Sequence, residues 1–255
     1  MKYTTIMIEQ SEGVGIITLN RPKVLNAMNL QLVKDMSSAI NNLEADPQIG
    51  ALIITGSGEK AFSAGADIHE IRTFTPEEAR IAGEIRYEKQ WLIATCRKPI
   101  IGAINGLAYG GGALLASSFD FLVGCERSKF RFLAAAYGQL NATWTLPLTI
   151  GWPMAKELLY TGRVVYAEEA QKIGLLNHLV PSNTLLDKAM ELGRTIAANY
   201  HVSVQGTKSL INEAIGMSWH GMQENEKMAR MTTYKGPAVE EGFKDFIARK
   251  GRTSR

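Results

Sequence analysis

Cysteine is scarce in this chain of 255 residues, which contains two, Cys96 and Cys125. They form neither a metal-ligand spacing nor a disulfide framework, so the sequence predicts a reducing compartment and a cytoplasmic location. The net charge of +3 is too small to favour nucleic acid as the main partner. The first ten residues, MKYTTIMIEQ, have no apolar run followed by a cleavage site, so no secretory signal is expected.

Charged residues are absent from residues 99–119, a stretch long enough to span a bilayer. Within it, Gly102, Gly106 and Gly110 repeat at the spacing of packed membrane helices. Asn105 and a total of five glycines argue against a continuous membrane helix, and the whole chain has an ordinary 21% of charged residues. We therefore favour a buried strand followed by a buried helix.

The order of apolar patterns along the chain predicts an α/β fold. Alternation in TTIMIEQ and GVGIITLN predicts a hairpin around SEG, and LQLVKDMSSAINNLEAD has helical spacing with Asn29 as its N-cap. The segments IGALIITG, PIIGAINGLAYG and FDFLVGCE are expected to be buried strands. Charged helical sequence runs from Pro76 to Arg97, and the chain after Pro147 is predicted to be helical. The alternation of strands and helices favours repeated right-handed units.

Two glycine-bearing turns follow predicted strands and lead into predicted helices: FSAGAD (62–67) and LAYGGGA (107–113). The start of a helix presents free backbone N–H groups, so two such turns that face each other can hold a developing oxyanion. Close packing of glycine at strand ends is the simpler explanation for either turn alone. Neither turn fits a phosphate-binding loop or a dinucleotide fingerprint, because the accompanying residues are absent.

Four segments occur in a characteristic order: RPKVLNAMN, AFSAGADIHEI, KPIIGAINGLAYGGGALLASSFD and TGRVVYAEEAQKIGLLNHLVP. Together they resemble the crotonase (enoyl-CoA hydratase/isomerase) superfamily from about residue 5 to the C-terminus. The resemblance implies a spiral of repeated ββα units, here residues 1–195, followed by a helical trimerisation region, residues 196–255. It also implies an acyl-CoA substrate, with coenzyme A as part of that substrate, no permanently bound cofactor or metal, and a homotrimer or dimer of trimers.

The resemblance places the thioester carbonyl oxygen between the backbone amides of Ala66 and Gly111. Two loops are expected to line the groove for CoA, one with Lys23, Val24 and Leu25 and the other with Ala64, Asp67, Ile68 and His69; Gly110 is expected beside the thioester. His69 stands where many family members have a lysine, so it either contacts a phosphate or the adenine or is a solvated loop residue. Lys244 and Lys250 either lie near CoA phosphates of an adjacent subunit or are simple surface charge.

Both acid–base glutamates of the family's hydratases are expected to be replaced. In GGGxE the glutamate position is Leu114, and in the frame from Phe130 to Gly138 it is Ala134. Between Glu88 and Glu157 the only carboxylates are Asp120 and Glu126, which suit a strand start and a strand-end surface position. Ordinary two-glutamate hydration is therefore not expected.

Three interpretations remain open. In the first, other groups transfer protons: Glu70, with Glu84 and Tyr87 as further candidates, while Tyr137, Gln139, Asn141 and Trp144 position a substrate or a water. In the second, the oxyanion hole alone carries a decarboxylation or another cleavage next to the thioester. In the third, the protein binds acyl-CoA without chemistry, with Leu114 and Ala134 in a dry acyl pocket.

Overall fold

The computed structural model describes residues 3–248. The strands in this part of the chain are β1 Ile6–Ser11, β2 Val14–Leu19, β3 Ala51–Gly56, β4 Ala61–Ser63, β5 Ile100–Ile104, β6 Leu107–Tyr109, β7 Phe121–Gly124, β8 Lys129–Arg131, β9 Val165–Tyr166 and β10 His178–Leu179. The helices are α1 Leu30–Ala45, α2 Ile68–Ile71, α3 Pro76–Ala94, α4 Gly111–Ala116, α5 Leu146–Ile150, α6 Trp152–Thr161, α7 Ala167–Lys172, α8 Leu185–Ala197, α9 His201–Glu213, α10 Trp219–Met231, α11 Val239–Gly242 and α12 Lys244–Ala248.

A six-stranded sheet has the order β1-β2-β3-β5-β7-β10. The predicted hairpin is confirmed: β1 and β2 pair antiparallel through a turn in which Glu12 and Gly13 have φ of 51° and 78°. The remaining strands pair in parallel, as expected when helices connect them. In this sheet β3, β5 and β7, the first strands of successive ββα units, lie side by side.

Both faces of the central strands β2, β3 and β5 are buried, which explains their apolar sequences. Alternate residues of β3 point to opposite faces, so that Leu52 and Ile54 join one apolar cluster and Ile53 joins the other. Helix α1 covers the first face with residues such as Met36, and α8 covers the second with Met190. Asn29 caps α1 as predicted, since its Oδ1 accepts a 3.0 Å hydrogen bond from the N–H of Leu32.

A second, four-stranded sheet has the order β4-β6-β8-β9. It corrects one expectation, because PIIGAINGLAYG forms two strands in two different sheets rather than one strand. The change occurs at Asn105, whose Nδ2 donates to the carbonyl oxygens of Gly56 and Gly58, and at Gly106, where a Cβ would lie 2.4 Å from the carbonyl oxygen of Lys60. The chain thus crosses between sheets at a polar side chain and a glycine.

Two further expectations are corrected. Helix α3 ends at Ala94 rather than at Arg97. The chain that follows contacts the end of α1 instead, where the N–H of Arg97 donates a hydrogen bond to Oε1 of Glu44. The region after Pro147 is helical except for the two-residue strands β9 and β10, which are too short to leave an alternating pattern. Residues 99–119 form β5, β6 and α4, and no helix in the described part of the chain is long and apolar enough to cross a membrane.

The chain divides into two compact units, Met1–Ala198 and Asn199–Arg255. Helix α8 crosses the predicted limit between residues 195 and 196 and ends at Ala197. The described part of the second unit contains helices α9 to α12, and Tyr234, in the connection after α10, packs against Gly206 of α9. Lys244 begins α12, whereas Lys250 lies outside the described residues.

Candidate active site

The two glycine-bearing turns meet because the strands that precede them are neighbours. Strands β4 and β6 pair in parallel, with Ser63 opposite Ala108. Parallel strands end at the same edge of a sheet, so the turn after β4 lies beside the turn after β6. The candidate active site is built at this edge.

Glycine is required at three positions of these turns, for two different structural reasons. Gly110 has φ of 51° and ψ of −116°, a backbone conformation that a side chain would strain. Gly112 and Gly65 allow close approach: a Cβ on Gly112 would lie 2.2 Å from the carbonyl oxygen of Ser63, and one on Gly65 would lie 2.8 Å from the amide nitrogen of Gly111. Gly65 and Gly112 therefore allow the two turns to pack against each other.

Two backbone amides at this junction are available to a ligand. Met28 and Ala66 form an isolated parallel bridge: the N–H of Met28 donates to the carbonyl oxygen of Gly65, and the carbonyl oxygen of Met28 accepts from the N–H of Asp67. In this pattern the N–H of Ala66 points away from Met28. Gly111 is the first residue of α4, where an N–H has no acceptor within the helix. Neither N–H donates a hydrogen bond to any described residue.

The two amides lie close together. A Cβ built on Gly111 would lie 3.4 Å from the amide nitrogen of Ala66 and 3.1 Å from Cε of the buried Met28. Two converging N–H donors beside an apolar side chain can stabilise an oxygen atom on which negative charge develops. The sequence motifs predicted the two amides. The position of Met28 beside them was not predicted, because the sequence shows it only as one apolar residue within RPKVLNAMN.

The loop before α1 supports the turn after β4. Arg21 donates a 2.8 Å hydrogen bond to Oδ2 of Asp67, while Oδ1 of Asp67 accepts from the N–H of Glu70 and caps α2. Burial opposes the charge on Asp67, but the hydrogen bond from Arg21 and those from the start of α2 outweigh it and lower the pKa of Asp67. Asp67 was predicted to line the CoA groove; the structure shows that its carboxylate holds the turn together.

Glu70 has contacts that the sequence did not reveal. Its Oε2 accepts a 2.8 Å hydrogen bond from the N–H of Leu30 at the start of α1 and a 3.1 Å bond from Nη2 of Arg86 on α3. Arg86 also donates to the carbonyl oxygen of Met28. The carboxylate of Glu70 thus links α1, α2 and α3 next to the turn that follows β4.

The remaining candidates are exposed to different degrees. Tyr87 is 73% exposed on α3, and Glu84 pairs on the surface with Arg80. The predicted CoA-groove residues Lys23, Val24, Ile68 and His69 are exposed, and Ala64 and Leu25 are half-buried. Leu25 and the buried Asn26 both have positive φ, 54° and 53°, so the first groove loop is a tight turn.

The positions expected to carry the family's glutamates are apolar and half-buried. Leu114 lies on α4, one turn after Gly111, and packs against the main core. Ala134 precedes the 3-10 turn Ala135–Tyr137, and its carbonyl oxygen accepts from the N–H of Gln139 at 2.8 Å. Asp120 accepts from the N–H of Ile100 and Glu126 from that of Ser182, so both carboxylates bind backbone, as expected for structural positions.

The loop after Ala134 packs against α3 and against the end of α4. Trp144 packs on Trp91 of α3 with ring centroids 5.9 Å apart, and Thr145 shares a 2.8 Å hydrogen bond with Ser117 at the end of α4. Tyr137 is 73% exposed. Trp91, Arg86 and Ser117 were not identified from sequence, because their significance depends on partners distant in the chain.

No group of three or more His, Cys, Asp or Glu side chains that could hold a metal ion occurs among residues 3–248. The groups near the junction of the two turns are backbone N–H donors, apolar side chains, and carboxylates that accept hydrogen bonds from N–H groups or arginines.

A parallel-stranded ββα core with two facing amide turns is the crotonase fold, and comparisons agree. The family model described as enoyl-CoA hydratase/isomerase matches residues 9–252. The structure of enoyl-CoA hydratase from Bacillus anthracis superposes with a TM-score of 0.91 at 31% identity, covering 98% of this chain and 100% of that one.

Two relatives in sequence are also hydratases. Crotonyl-CoA hydratase of Syntrophomonas wolfei is 36% identical over 218 residues, which cover 84% of each protein. Mitochondrial enoyl-CoA hydratase of Pongo abelii is 32% identical over 245 residues, covering 94% of this chain and 83% of the relative. The chain belongs to the enoyl-CoA hydratase/isomerase family.

Proposed function

We propose that this protein acts on an acyl-CoA thioester by stabilising its enolate between the backbone N–H groups of Ala66 and Gly111. The observation that carries the proposal is the pair of adjacent amides without an acceptor at the ends of β4 and β6. As a bond to the carbon next to the thioester breaks, its electron pair enters the enolate, and the negative charge on oxygen is held by the two donors.

We further propose that Leu114 and Ala134 replace the two glutamates of the hydratases, so that reactions other than two-glutamate hydration are favoured. Cleavage of a C–C bond at Cα, such as a decarboxylation in which CO₂ leaves without the bonding electron pair, needs the oxyanion donors but no general base at Cα. The enolate then takes up a proton at Cα from an acid or from water. Glu70 and Tyr87 stay the candidates for proton transfer. For Glu70 there is an alternative role: the hydrogen bonds that it accepts from Leu30 and Arg86 support the positioning of neighbouring elements.

The experiment compares the wild-type protein with Gly111→Pro and Gly111→Ala. Proline removes the N–H at the first position of a helix, where its ring is tolerated, and alanine adds the same Cβ while keeping the N–H. Turnover of crotonyl-CoA is followed by loss of the enoyl-thioester absorbance, and a 2-carboxyacyl thioester, which can lose CO₂, is tested beside it. We expect Gly111→Pro to lose about 10²–10³-fold more activity than Gly111→Ala.

The outcomes separate the candidate functions. Fast, Gly111-dependent hydration of crotonyl-CoA would refute the proposed loss of acid–base groups. Turnover of the cleavable thioester alone would support the proposal. Binding of thioesters without turnover would favour the alternative, a catalytically inactive acyl-CoA-binding protein, to which the apolar Leu114 and Ala134 are also suited. Equal activity of the two variants would refute the role of the Gly111 amide.

We also propose that coenzyme A binds as part of the substrate along the loops of Lys23–Leu25 and Ala64–His69. The exposure of Lys23 and His69 beside the oxyanion turn supports this. Lys23→Ala and His69→Ala are expected to weaken CoA binding, more at low salt than at high salt, because the phosphates are charged. Calorimetric titration with CoA at two ionic strengths measures the effect, and unchanged affinities would contradict it.

We propose a homotrimer or a dimer of trimers. Large apolar side chains are exposed on the first unit, among them Leu140, Trp152 and Tyr160. Aromatic side chains are enriched at interfaces between protein chains, which supports the proposal. Light scattering coupled to gel filtration is expected to give three or six times the 28.0 kDa of one chain, and a monomer mass would refute the proposal. The cytoplasmic location stays a prediction.

A further inference from the structure

One polar atom beside the proposed acyl pocket is buried without a hydrogen bond. Among the described residues, Oδ1 of Asn141 is the buried side-chain nitrogen or oxygen that has no hydrogen-bond partner. Buried polar side-chain atoms in folded proteins are nearly always paired, because an unpaired one loses its hydration without compensation. An exception next to a ligand site indicates an acceptor that a ligand satisfies.

The chain around Asn141 is held in place from both sides. Upstream, Gln139 donates its N–H to the carbonyl oxygen of Ala134 and so folds the loop back over that position. Downstream, the hydroxyl of Thr145 shares a hydrogen bond with that of Ser117, and Trp144 packs on Trp91. Asn141 therefore lies in a loop that connects the Ala134 position to α3 and to the end of α4.

The loop also contains a strained residue. Ala142, fully buried, has φ of 54°. An L-residue other than glycine seldom adopts this conformation, and its cost is typically accepted at sites where a side chain must be aimed. Ala142 directly follows Asn141, whose carboxamide oxygen is buried instead of turned to water.

The distance from the oxyanion amides fits the far end of an acyl chain. Ser117, to which the loop is tied, is six residues after Gly111, which corresponds to roughly 9 Å along a helix. The six bonds from the thioester carbon to the hydroxyl oxygen of an extended 6-hydroxyhexanoyl group span roughly 7–8 Å, and a hydrogen bond adds about 2.8 Å. Such an acyl group, with its carbonyl oxygen held by Ala66 and Gly111, is therefore long enough to span the length of α4.

We propose that Asn141 is a specificity-determining residue whose Oδ1 accepts a hydrogen bond from a hydroxyl group on the distal part of the acyl chain. This inference rests on the proposed function, since it needs an acyl-CoA in the pocket. A thioester that carries the hydroxyl satisfies the buried acceptor, whereas the same thioester without it leaves the acceptor unpaired. Discrimination against a ligand that lacks the hydroxyl follows from that loss.

The test compares binding of 6-hydroxyhexanoyl-CoA, 3-hydroxyhexanoyl-CoA and hexanoyl-CoA by titration calorimetry. Wild type is expected to bind 6-hydroxyhexanoyl-CoA about 10–100-fold more tightly than hexanoyl-CoA. In Asn141→Leu, which has nearly the same shape, the preference is expected to disappear. The same variant is expected to unfold at an unchanged or higher temperature, because the unpaired oxygen is gone. Asn183→Leu, at an exposed position of the turn Ser182–Thr184, serves as the matched control and is expected to keep the preference.

The outcomes keep the two proposals apart. If hexanoyl-CoA and 6-hydroxyhexanoyl-CoA bind wild type equally, or if Asn141→Leu keeps the preference, the role of Asn141 is refuted while acyl-CoA binding stands. An Asn141-dependent preference for the 3-hydroxy isomer overturns the distal placement. A lower unfolding temperature of Asn141→Leu with unchanged affinities shows a structural role and also overturns the proposal. If no thioester binds, the proposed function itself fails.

Discussion

The carboxylate of Glu70 has either a structural or a catalytic role, and the variant Glu70→Ala distinguishes the two. The variant removes the acceptor for the N–H of Leu30 and the ionic partner of Arg86. A hydrogen bond to a charged group contributes about 1.5–3 kcal/mol. The Glu70 side chain is 25% exposed, so part of that contribution is screened by solvent. We expect Glu70→Ala to lower the free energy of unfolding by about 2 kcal/mol.

Glu70→Gln refines the expectation. The amide oxygen can still accept from the N–H of Leu30, but the charge opposite Arg86 is lost, so the destabilisation should be about 1 kcal/mol. In a chain of this size 1 kcal/mol corresponds to about 2–4 °C in the unfolding temperature. Urea unfolding followed by circular dichroism gives the free energies, and thioester turnover is measured on the same preparations.

The matched control is Glu88→Ala, which removes an exposed carboxylate on α3 whose ion pair, among residues 3–248, is with the neighbouring Lys89. It should change stability by less than about 0.5 kcal/mol. Our reasoning is refuted if Glu70→Gln keeps the stability of wild type but loses 10²-fold or more in kcat. That result would make Glu70 a general acid or base, as the sequence first suggested.

Three further predictions concern residues that stabilise the turns of the site or the fold around it. The pKa of Asp67 is lowered in the folded state, so its contribution to stability is present above the unfolded-state pKa of about 3.9 and is lost as pH falls through the folded value. The stability difference between wild type and Asp67→Asn should therefore shrink in acid, and a pH-independent difference in urea titrations would contradict this. Lys98→Met removes a buried ammonium that donates to the carbonyl oxygens of Leu43 and Asp46, and should cost about 2–3 kcal/mol in urea unfolding; an unchanged midpoint would show that water replaces those bonds. Gly112→Ala, whose Cβ would meet the Ser63 carbonyl, should abolish thioester binding in calorimetry, and retained affinity would show that the two turns can separate.

The sequence located the elements whose cause is local. Alternation predicted the β1–β2 hairpin, and the side chain of Asn29 predicted the start of α1, because both depend on residues a few positions apart. The two glycine turns were also located, because glycines between a predicted strand and a predicted helix mark a turn. The split of PIIGAINGLAYG was missed, because Asn105 makes its bonds with residues far earlier in the chain.

The site shows the same division. Motif order alone determined the family and pointed to Ala66 and Gly111, and the absence of carboxylates at Leu114 and Ala134 was visible in the sequence. Only the tertiary structure decided that Glu70 and Asp67 bind backbone amides and arginines, and that Asn141 is buried without a partner. The physical reason is that a motif records which residues follow one another, whereas the state of a polar group depends on which distant donors and acceptors the fold brings to it.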